Sequence, residues 1–271
     1  MDATAKRPSI FITGAASGIG RATAELFANK GWFCGLFDIN ENGLKEAAKA
    51  IGEDNCVTGL LDVRNRDDWS EAVAAFSKAT DGLMNVLFNN AGVGRHGWFE
   101  EISQDDSDWV IDVNLKGVVN GVYAALPLLK TSGGRIVNTG SASGFYGSPR
   151  LAVYSATKFA VRGLTEALNL ELEGVGVSCT SLMPFFVDTP ILEMARCEGD
   201  NERGLTGQID DMDADVYPVS LAAERAWDAA HGNDIHYTVG KRANQLSFAA
   251  RFLPKRLRKQ IASSLPTRSK T

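Results

Sequence analysis

Short apolar runs alternate with helical patterns through the first 240 residues of the chain. The helical patterns cover 42–51, 66–80, 104–131 and a stretch that ends near Glu173. The apolar runs are 9–13, 33–37, 56–61, 85–89, 134–138, 175–183 and 235–239. A strand, a helix and a second strand pack as a right-handed unit of a parallel sheet. The alternation therefore predicts one α/β domain of about seven parallel strands with helices on both faces.

The first apolar run leads into a glycine-rich turn, Thr13-Gly-Ala-Ala-Ser-Gly-Ile-Gly20, and then into a helical pattern. This order places backbone N–H groups and a helix N-terminus under a pyrophosphate. Gly14 permits a tight turn, while Gly18 and Gly20 permit close approach of phosphates and of the helix to the sheet. The pattern predicts a doubly wound, Rossmann-like sheet that binds a dinucleotide; a plain glycine-rich turn is the alternative.

Asp38 ends the second apolar run, 18 residues after Gly20. A carboxylate at about this spacing accepts hydrogen bonds from the adenosine ribose and repels a 2′-phosphate. No Lys or Arg stands at 15–17 or 39–40. The sequence therefore favours NAD over NADP, and the alternative is an aspartate that caps the next helix.

Tyr154 and Lys158 are four residues apart in a helical pattern, so both side chains share one face about one turn apart. A free phenol has a pKa of about 10, and a neighbouring ammonium lowers it. The pair predicts an acid–base site, with a surface pair on an amphipathic helix as the alternative. Tyr146 and Arg150 have the same spacing, but the proline between them disfavours a helix, so Tyr146 is expected to line a pocket.

Further motifs follow the other predicted strands and should meet at one rim, because parallel strands end at the same sheet edge. Ser141 and Ser143 both follow the fifth predicted strand and are candidate partners of the tyrosine. With the motifs above, the chain resembles the short-chain dehydrogenase/reductase family over nearly its whole length. The added motifs are Asp62, Asn89-Asn-Ala-Gly92, Asn114, Ser141 and the segment from Pro184 to Thr189. The resemblance favours Ser141 over Ser143, because Ser141 precedes Tyr154 by the 13 residues of the family pattern.

The resemblance implies roles for the catalytic residues. Tyr154 would exchange a proton with the substrate oxygen, and Lys158 would lower the tyrosine pKa and hold the nicotinamide ribose. Ser141 would orient the substrate oxygen, and Asn114 would hold a water that relays protons from Lys158 to solvent. The implied cofactor contacts are Ser17 and Ile19 at the phosphates, Asp62 and Val63 at the adenine, Asn90, Ala91 and Gly92 along the adenosine ribose, and Pro184, Val187 and Thr189 around the nicotinamide, the last two at its carboxamide.

One position departs from the family pattern, because Phe185 follows Pro184 where the family usually has glycine. The ring suggests a hydrophobic wall on the substrate pocket. The predicted pocket residues are His96, Ser143, Phe145, Tyr146 and Phe185, with Trp98 nearby. His96 could act as a second acid/base, but a histidine on a surface loop is the preferred interpretation. No metal site is predicted.

The charge of the chain is unevenly distributed around a net value of −5. Residues 1–240 have an excess of 14 acidic over basic side chains, which argues against nonspecific nucleic-acid binding. The polar N-terminus has no apolar run behind it long enough for a signal peptide or a membrane span, and the four cysteines form no C-x-x-C pair. Both features favour a cytoplasmic protein with free thiols. Within the 1–240 domain, 188–216 is predicted to be a mobile substrate lid.

Residues 241–271 form a basic tail with nine Lys or Arg and no Asp or Glu. Over 245–261, apolar residues recur at helical spacing, and Pro254 predicts two short helices. Packing against the acidic body of the enzyme or a sister subunit is the favoured interpretation. Contact of 245–261 with an anionic membrane surface is the alternative.

These observations predict an NAD(H)-dependent oxidoreductase that interconverts a hydrophobic secondary alcohol, steroid-like, aromatic or long-chain, and its ketone. The family resemblance implies a homodimer or homotetramer. An NADPH-dependent ketoreductase and a non-catalytic dinucleotide sensor are the alternative functions.

Overall fold

A computed structural model describes residues 7–194, 209, 215–263 and 265. Its strands form one parallel sheet of seven, in the order β3-β2-β1-β4-β5-β6-β7. They are β1 (Ser9–Thr13), β2 (Phe33–Asp38), β3 (Cys56–Leu60), β4 (Val86–Asn89), β5 (Arg135–Thr139), β6 (Ser178–Pro184) and β7 (His236–Val239). The predicted single, Rossmann-like, doubly wound α/β sheet is confirmed, and its order reverses between β1 and β4.

The helices lie on both faces of this sheet. They are α1 (Gly18–Asn29), α2 (Glu41–Ile51), α3 (Arg66–Ala79), α4 (Gln104–Ile111), α5 (Gly117–Ser132), α6 (Ala152–Glu171), the single turn α7 (Ile191–Met194), α8 (Val219–His231), α9 (Lys241–Phe252) and α10 (Pro254–Ser263). Residues 104–131 were expected to form one helix, but a π-helical turn, Asp112–Lys116, separates α4 from α5. β6 begins later than the predicted residue 175, because Glu173–Val175 forms a 3₁₀ turn that Gly176 ends at φ 74°.

Local sequence signals account for where several helices begin and end. The side chain of Asn40 accepts a hydrogen bond from Gly43 N at the start of α2, and Ser103 accepts one from Asp106 N at the start of α4. Such caps satisfy N–H groups that the helix itself leaves unpaired. Gly133 ends α5 in the left-handed conformation, which costs glycine little.

The strands of the sheet send alternate side chains into two separate cores. Ile10 and Ile12 pack beneath α1, α2 and α8, while Phe11 points to the face covered by α3 and α5. Phe11 stacks on Phe37 with ring centroids 4.2 Å apart, and Trp69 lies 5.6 Å away. Burial on both faces explains why these strands read as continuous apolar runs.

The C-terminal helices α9 and α10 fold back onto the body beside the carboxyl ends of the strands. Pro254 is the first residue of α10, as the sequence predicts. Leu246 and Leu257 are buried in a cluster that includes Ala142, Tyr146 and Phe185. One face of the tail therefore packs on the body. Across the described ranges, no helix is long and apolar enough to cross a membrane.

Only part of the predicted lid, 188–216, falls within the described residues. Its beginning forms α7, and its end, at Asp215 and Val216, leads to Tyr217. Ile209 is buried. The predicted mobility of 195–208 and 210–214 concerns residues outside the described ranges.

Candidate active site

The glycine-rich turn closes tightly over the end of β1. Gly14 and Gly18 have φ values of 67° and 52°, in the left-handed region that favours glycine. A Cβ atom on Gly20 would lie 2.2 Å from the carbonyl oxygen of Gly14, so the helix α1 can reach this position only with glycine there. The turn thus exposes backbone at the N-terminus of α1, next to Ser17, whose side chain makes no capping hydrogen bond.

Hydrogen bonds between the ends of β1 and β4 hold the turn in place. The hydroxyl oxygen of Thr13 accepts from the backbone N–H groups of Asn90 and Ala91, both at 3.0 Å. The amide of Asn90 donates to Thr13 O at 3.0 Å and to Gly14 O at 3.3 Å. Thr13 was not predicted as a site residue, although its place directly before Gly14 was a usable signal.

Asp38 lies beside the glycine-rich turn at the end of β2. Its carboxylate accepts from Ala16 N and from Asn40 N, each at 3.0 Å. The alternative interpretation, in which Asp38 caps the next helix, is wrong because Asn40 caps α2. The carboxylate is therefore held next to the turn, with oxygen lone pairs left for a ligand.

Asp62 is the corresponding acid at the end of the next strand, and it pairs with Arg64 at 2.6 Å. The hydrogen bond from Arg64 lowers the pKa of the Asp62 carboxyl below its usual value. Val63 is buried against Gly117, where an added Cβ would come within 2.6 Å of the valine. The structure thus places both residues on the rim, where the carboxylate of Asp62 is already paired with the Arg64 guanidinium.

The segment after β6 crosses the glycine-rich turn from the other side. A Cβ on Gly18 would lie 3.0 Å from the methyl carbon of Thr189, so the threonine side chain packs closely on the turn. Val187 is buried and forms a parallel bridge to Tyr217, and Asp188 N donates to Tyr217 O at 2.9 Å. Tyr217 anchors this segment, and sequence reasoning missed it because its partner is set only by the fold.

Ser141 and Tyr154 meet at the end of β5. The Ser141 side chain lies close enough to Tyr154 to lower the pKa of the phenol, against the larger effect of burial. The hydroxyl oxygen of Ser141 also accepts from the backbone N–H of Ser143 at 3.1 Å. Both serines are buried. The structure therefore brings Ser141 to the tyrosine, while Ser143 orients Ser141 through its main chain.

Lys158 lies one turn beyond Tyr154 on α6 and is almost completely buried. Its ammonium donates to Thr139 O at 2.8 Å and lies 5.5 Å from the centroid of the Tyr154 ring. Burial lowers the lysine pKa to about 8. Burial also raises the pKa of Tyr154, against a smaller lowering by the Ser141 hydrogen bond. Removal from water disfavours both charged forms, the Tyr154 phenolate and the Lys158 ammonium. The lowering of the tyrosine pKa by Lys158 stays a prediction.

Asn114 occupies the centre of the π-helical turn between α4 and α5. Its side-chain oxygen accepts from Val93 N at 2.8 Å, and its amide donates to Val93 O at 2.9 Å. A Cβ on Gly92 would lie 3.4 Å from the Asn114 oxygen and 3.7 Å from the Lys158 nitrogen. Asn114, Gly92 and Lys158 therefore come together at one point, and π-helical turns are frequent at functional sites.

Apolar side chains surround Tyr154. The tyrosine, Phe186 and Leu192 pack against the buried residues Leu151 and Ile209. Sequence reasoning did not single out Leu151 or Ile209, since nothing in their local pattern separates them from core residues.

The predicted pocket residues divide between several places. Tyr146 and Phe185 pack on the C-terminal helices. Phe145 lies against Arg162, one turn beyond Lys158 on α6, and against His236. His96 is fully buried. The prediction of a surface histidine was therefore wrong; Gly97 N donates to Arg150 O, which draws this loop into the fold.

Comparison with known proteins agrees with this arrangement. The family model for short-chain dehydrogenases matches residues 8–198. A 3-oxoacyl-[acyl-carrier-protein] reductase of Thermotoga maritima is 38% identical over 187 residues, which cover 67% of this chain and 75% of that protein. An uncharacterised oxidoreductase of Staphylococcus saprophyticus is 35% identical over 206 residues, covering 74% and 85% respectively.

Solved structures give the same result. A short-chain dehydrogenase/reductase of Burkholderia phymatum in complex with NAD has a TM-score of 0.82 and 28% identity, and the match covers 98% of both chains. A 3-ketoacyl-(acyl-carrier-protein) reductase of Brucella melitensis complexed with NADH has a TM-score of 0.77 and 27% identity, over 87% of this chain and 98% of that one. The chain therefore belongs to the short-chain dehydrogenase/reductase family of oxidoreductases.

Proposed function

We propose that this oxidoreductase uses NAD(H) to interconvert a hydrophobic secondary alcohol and its ketone, with Tyr154 as the acid/base. The observation that carries the proposal is the placement of Ser141 beside Tyr154, with the Lys158 ammonium one turn away. Two hydroxyl groups that meet in an apolar cluster suit a single substrate oxygen.

The residues on the rim fit a dinucleotide. The glycine-rich turn leaves its backbone open at the N-terminus of α1, which favours phosphate. The Asp38 carboxylate beside Ala16 suits ribose hydroxyls and repels a 2′-phosphate, which supports NAD over NADP. Ser17 and Ile19 would hold the phosphates, and Lys158 the nicotinamide ribose. Hydride exchange at the substrate carbon is the chemistry that a nicotinamide supplies when bound.

The side chains of the protein supply the proton and the orientation. Tyr154 donates its phenolic proton to the ketone oxygen in reduction and accepts a proton from the alcohol in oxidation. Ser141 donates a second hydrogen bond that fixes the same oxygen. Burial keeps the pKa of Tyr154 above its ordinary value, so the phenol, which is the donor form, is present at neutral pH.

The apolar surroundings of Tyr154 support a lipophilic substrate, whether steroid-like, aromatic or long-chain. Leu151, Phe186 and Ile209 lie around the tyrosine, and Tyr146 and Phe185 form a second apolar group on the side of Ala142. An apolar lining with few convergent polar groups is typical of sites for such ligands.

Tyr154→Phe tests the acid/base assignment. It removes one oxygen, so NADH binding measured by fluorescence titration should persist while kcat/KM falls about 10²- to 10⁴-fold. Tyr123→Phe is the matched control, because that tyrosine is 78% exposed on α5. A Tyr154→Phe variant with less than a tenfold loss would remove the tyrosine from this role.

Asp38→Ala combined with Ile39→Arg tests the cofactor assignment. The change removes the acid and adds a cation for a 2′-phosphate, so the ratio of NADPH to NADH affinity should rise. Asp54→Ala, at an exposed turn, serves as the control. A wild-type protein that already prefers NADPH would favour the NADPH-dependent ketoreductase. Tight NADH binding without turnover on any alcohol or ketone would favour the dinucleotide sensor.

We also propose a homo-oligomer in the cytoplasm. Tyr123 on α5 and Phe159 and Leu170 on α6 are large apolar side chains left exposed. Such a surface supports association of copies through these helices. The free thiols of Cys34, Cys56 and Cys179 suit a reducing compartment. Light scattering of the purified protein measures the oligomeric state directly.

A further inference from the structure

The C-terminal helices carry a second apolar face that points away from the body. Phe248 and Phe252 are each 59% exposed, Leu253 is 43% exposed, and the two rings lie 4.9 Å apart. We call these three residues the outer strip. Burial of these exposed aromatic rings would be favourable, because it removes apolar surface from water. Such a strip therefore indicates a binding partner that covers it.

The fold fixes the direction in which this strip faces. Leu246 and Leu257 are buried against the body. Phe248 is two residues beyond Leu246 on α9, and two residues turn a helix by about 200°. Inner and outer faces therefore lie on nearly opposite sides of the same helix. The interpretation favoured from sequence was packing on the body or on a sister subunit, and packing on the body accounts for the inner face only.

Exposed cations share the two C-terminal helices with the outer strip. The guanidinium of Arg251 lies 5.4 Å from the centroid of the Phe252 ring. No Asp or Glu occurs anywhere in 241–271. The exposed basic side chains of α9 and α10 are Lys241, Arg251, Lys255, Arg256, Arg258 and Lys259.

We propose that this face docks on an anionic phospholipid bilayer. Aromatic side chains enter the boundary between headgroups and acyl chains, and the surrounding cations attract anionic lipid headgroups. A second copy of the chain fits this face less well. A two-fold contact would bring two identical basic surfaces together, and like charges repel.

The proposed docking face and the candidate active site share one structural unit. The inner face of the same helices packs on Ala142, next to Ser141, and on Tyr146 and Phe185. Docking would therefore hold this wall of the site near the bilayer surface. The binding assay below has no turnover readout, so it can fail or succeed separately from the proposed enzymatic function.

The test is co-sedimentation of the full chain with vesicles of phosphatidylcholine, with and without about one third phosphatidylserine. Wild-type protein should sediment with the anionic vesicles only. R251Q/K255Q/R258Q should reduce the partition coefficient about one hundredfold, since each cation contributes about fivefold. F248S/F252S should reduce it at least about tenfold through lost apolar burial.

Matched controls carry the same changes elsewhere on the surface. K49Q/R66Q/K78Q removes three exposed cations from the body, and Phe99→Ser removes a phenylalanine that is 70% exposed. Both controls should bind like wild type, and thermal unfolding should show that every variant is folded. Wild-type protein that ignores anionic vesicles, or outer-strip variants that bind them as well as wild type, would overturn the proposal. Self-association that F248S/F252S abolishes, without vesicle binding by wild type, would assign the face to a second copy instead.

Discussion

Replacement of Lys158 by methionine should make the protein more stable at pH 7 while removing the ammonium from the candidate active site. Lys158 is only 4% exposed, and burial lowers its pKa from 10.5 to about 8. The protein therefore holds a cation in surroundings that favour the neutral amine. Methionine has similar length and no charge, so it can fill the same space without that cost.

The magnitude follows from the pKa shift. Each unit of pKa shift corresponds to 1.36 kcal/mol, so the charged lysine lowers the free energy of unfolding by about 3 kcal/mol relative to a neutral side chain. The variant also loses the hydrogen bond to Thr139 O, which costs about 1 kcal/mol. The net gain at pH 7 should be about 2 kcal/mol.

The pH dependence has a defined sign. The folded-state pKa is below the unfolded one, so the unfolded state binds more protons between about pH 8 and 10.5. The cost of the cation is full below pH 8 and disappears as the pH rises through this window. The advantage of Lys158→Met over wild type should therefore shrink and then vanish.

Urea denaturation of both proteins at pH 7 and near pH 10, without nucleotide, measures the difference. Lys49→Met, at an exposed position on α2, should change the free energy of unfolding by no more than about 0.5 kcal/mol. A variant less stable than wild type at pH 7, or an advantage independent of pH, would refute the argument.

Two further predictions follow from the close contacts and from the thiols. Gly20→Ala should lower the free energy of unfolding by about 3 kcal/mol and weaken NADH binding, because its Cβ meets a carbonyl oxygen 2.2 Å away. Gly163 lies in the middle of α6, and an added Cβ there would have no atom within 4 Å. Gly163→Ala should therefore raise the free energy of unfolding by about 0.5–1 kcal/mol. Urea denaturation of both glycine variants and wild type measures these changes. Burial raises the pKa values of Cys34 and Cys179 to about 12 each, so iodoacetamide at pH 8 should alkylate neither until urea unfolds the protein. Mass spectrometry of native and unfolded samples decides the second prediction, and rapid alkylation of either thiol in the native protein would contradict it.

The alternation of apolar runs and helical patterns was enough to predict the parallel sheet, because strands buried on both faces must be apolar throughout. The glycine-rich turn was equally readable, since Gly14 and Gly20 occupy positions where a Cβ would collide with backbone. These features depend on neighbours that are close in the chain, so local residue types carry the information.

Other features were decided only when distant segments met. His96 is buried because its loop joins Arg150, 54 residues later in the chain. The π-helical turn at Asn114 depends on the Val93 backbone that its side chain binds. The pKa values of Tyr154 and Lys158 follow from desolvation, which no spacing in the sequence reports.

The sequence by itself determined the sheet, the order of its motifs and the rim where they meet, because periodicity and turn chemistry are local properties. Only the tertiary structure decided which face of the tail packs inward and how far each charged group is removed from water. Those outcomes depend on burial and on contacts between segments far apart in the chain, and burial sets the free-energy cost of a charge.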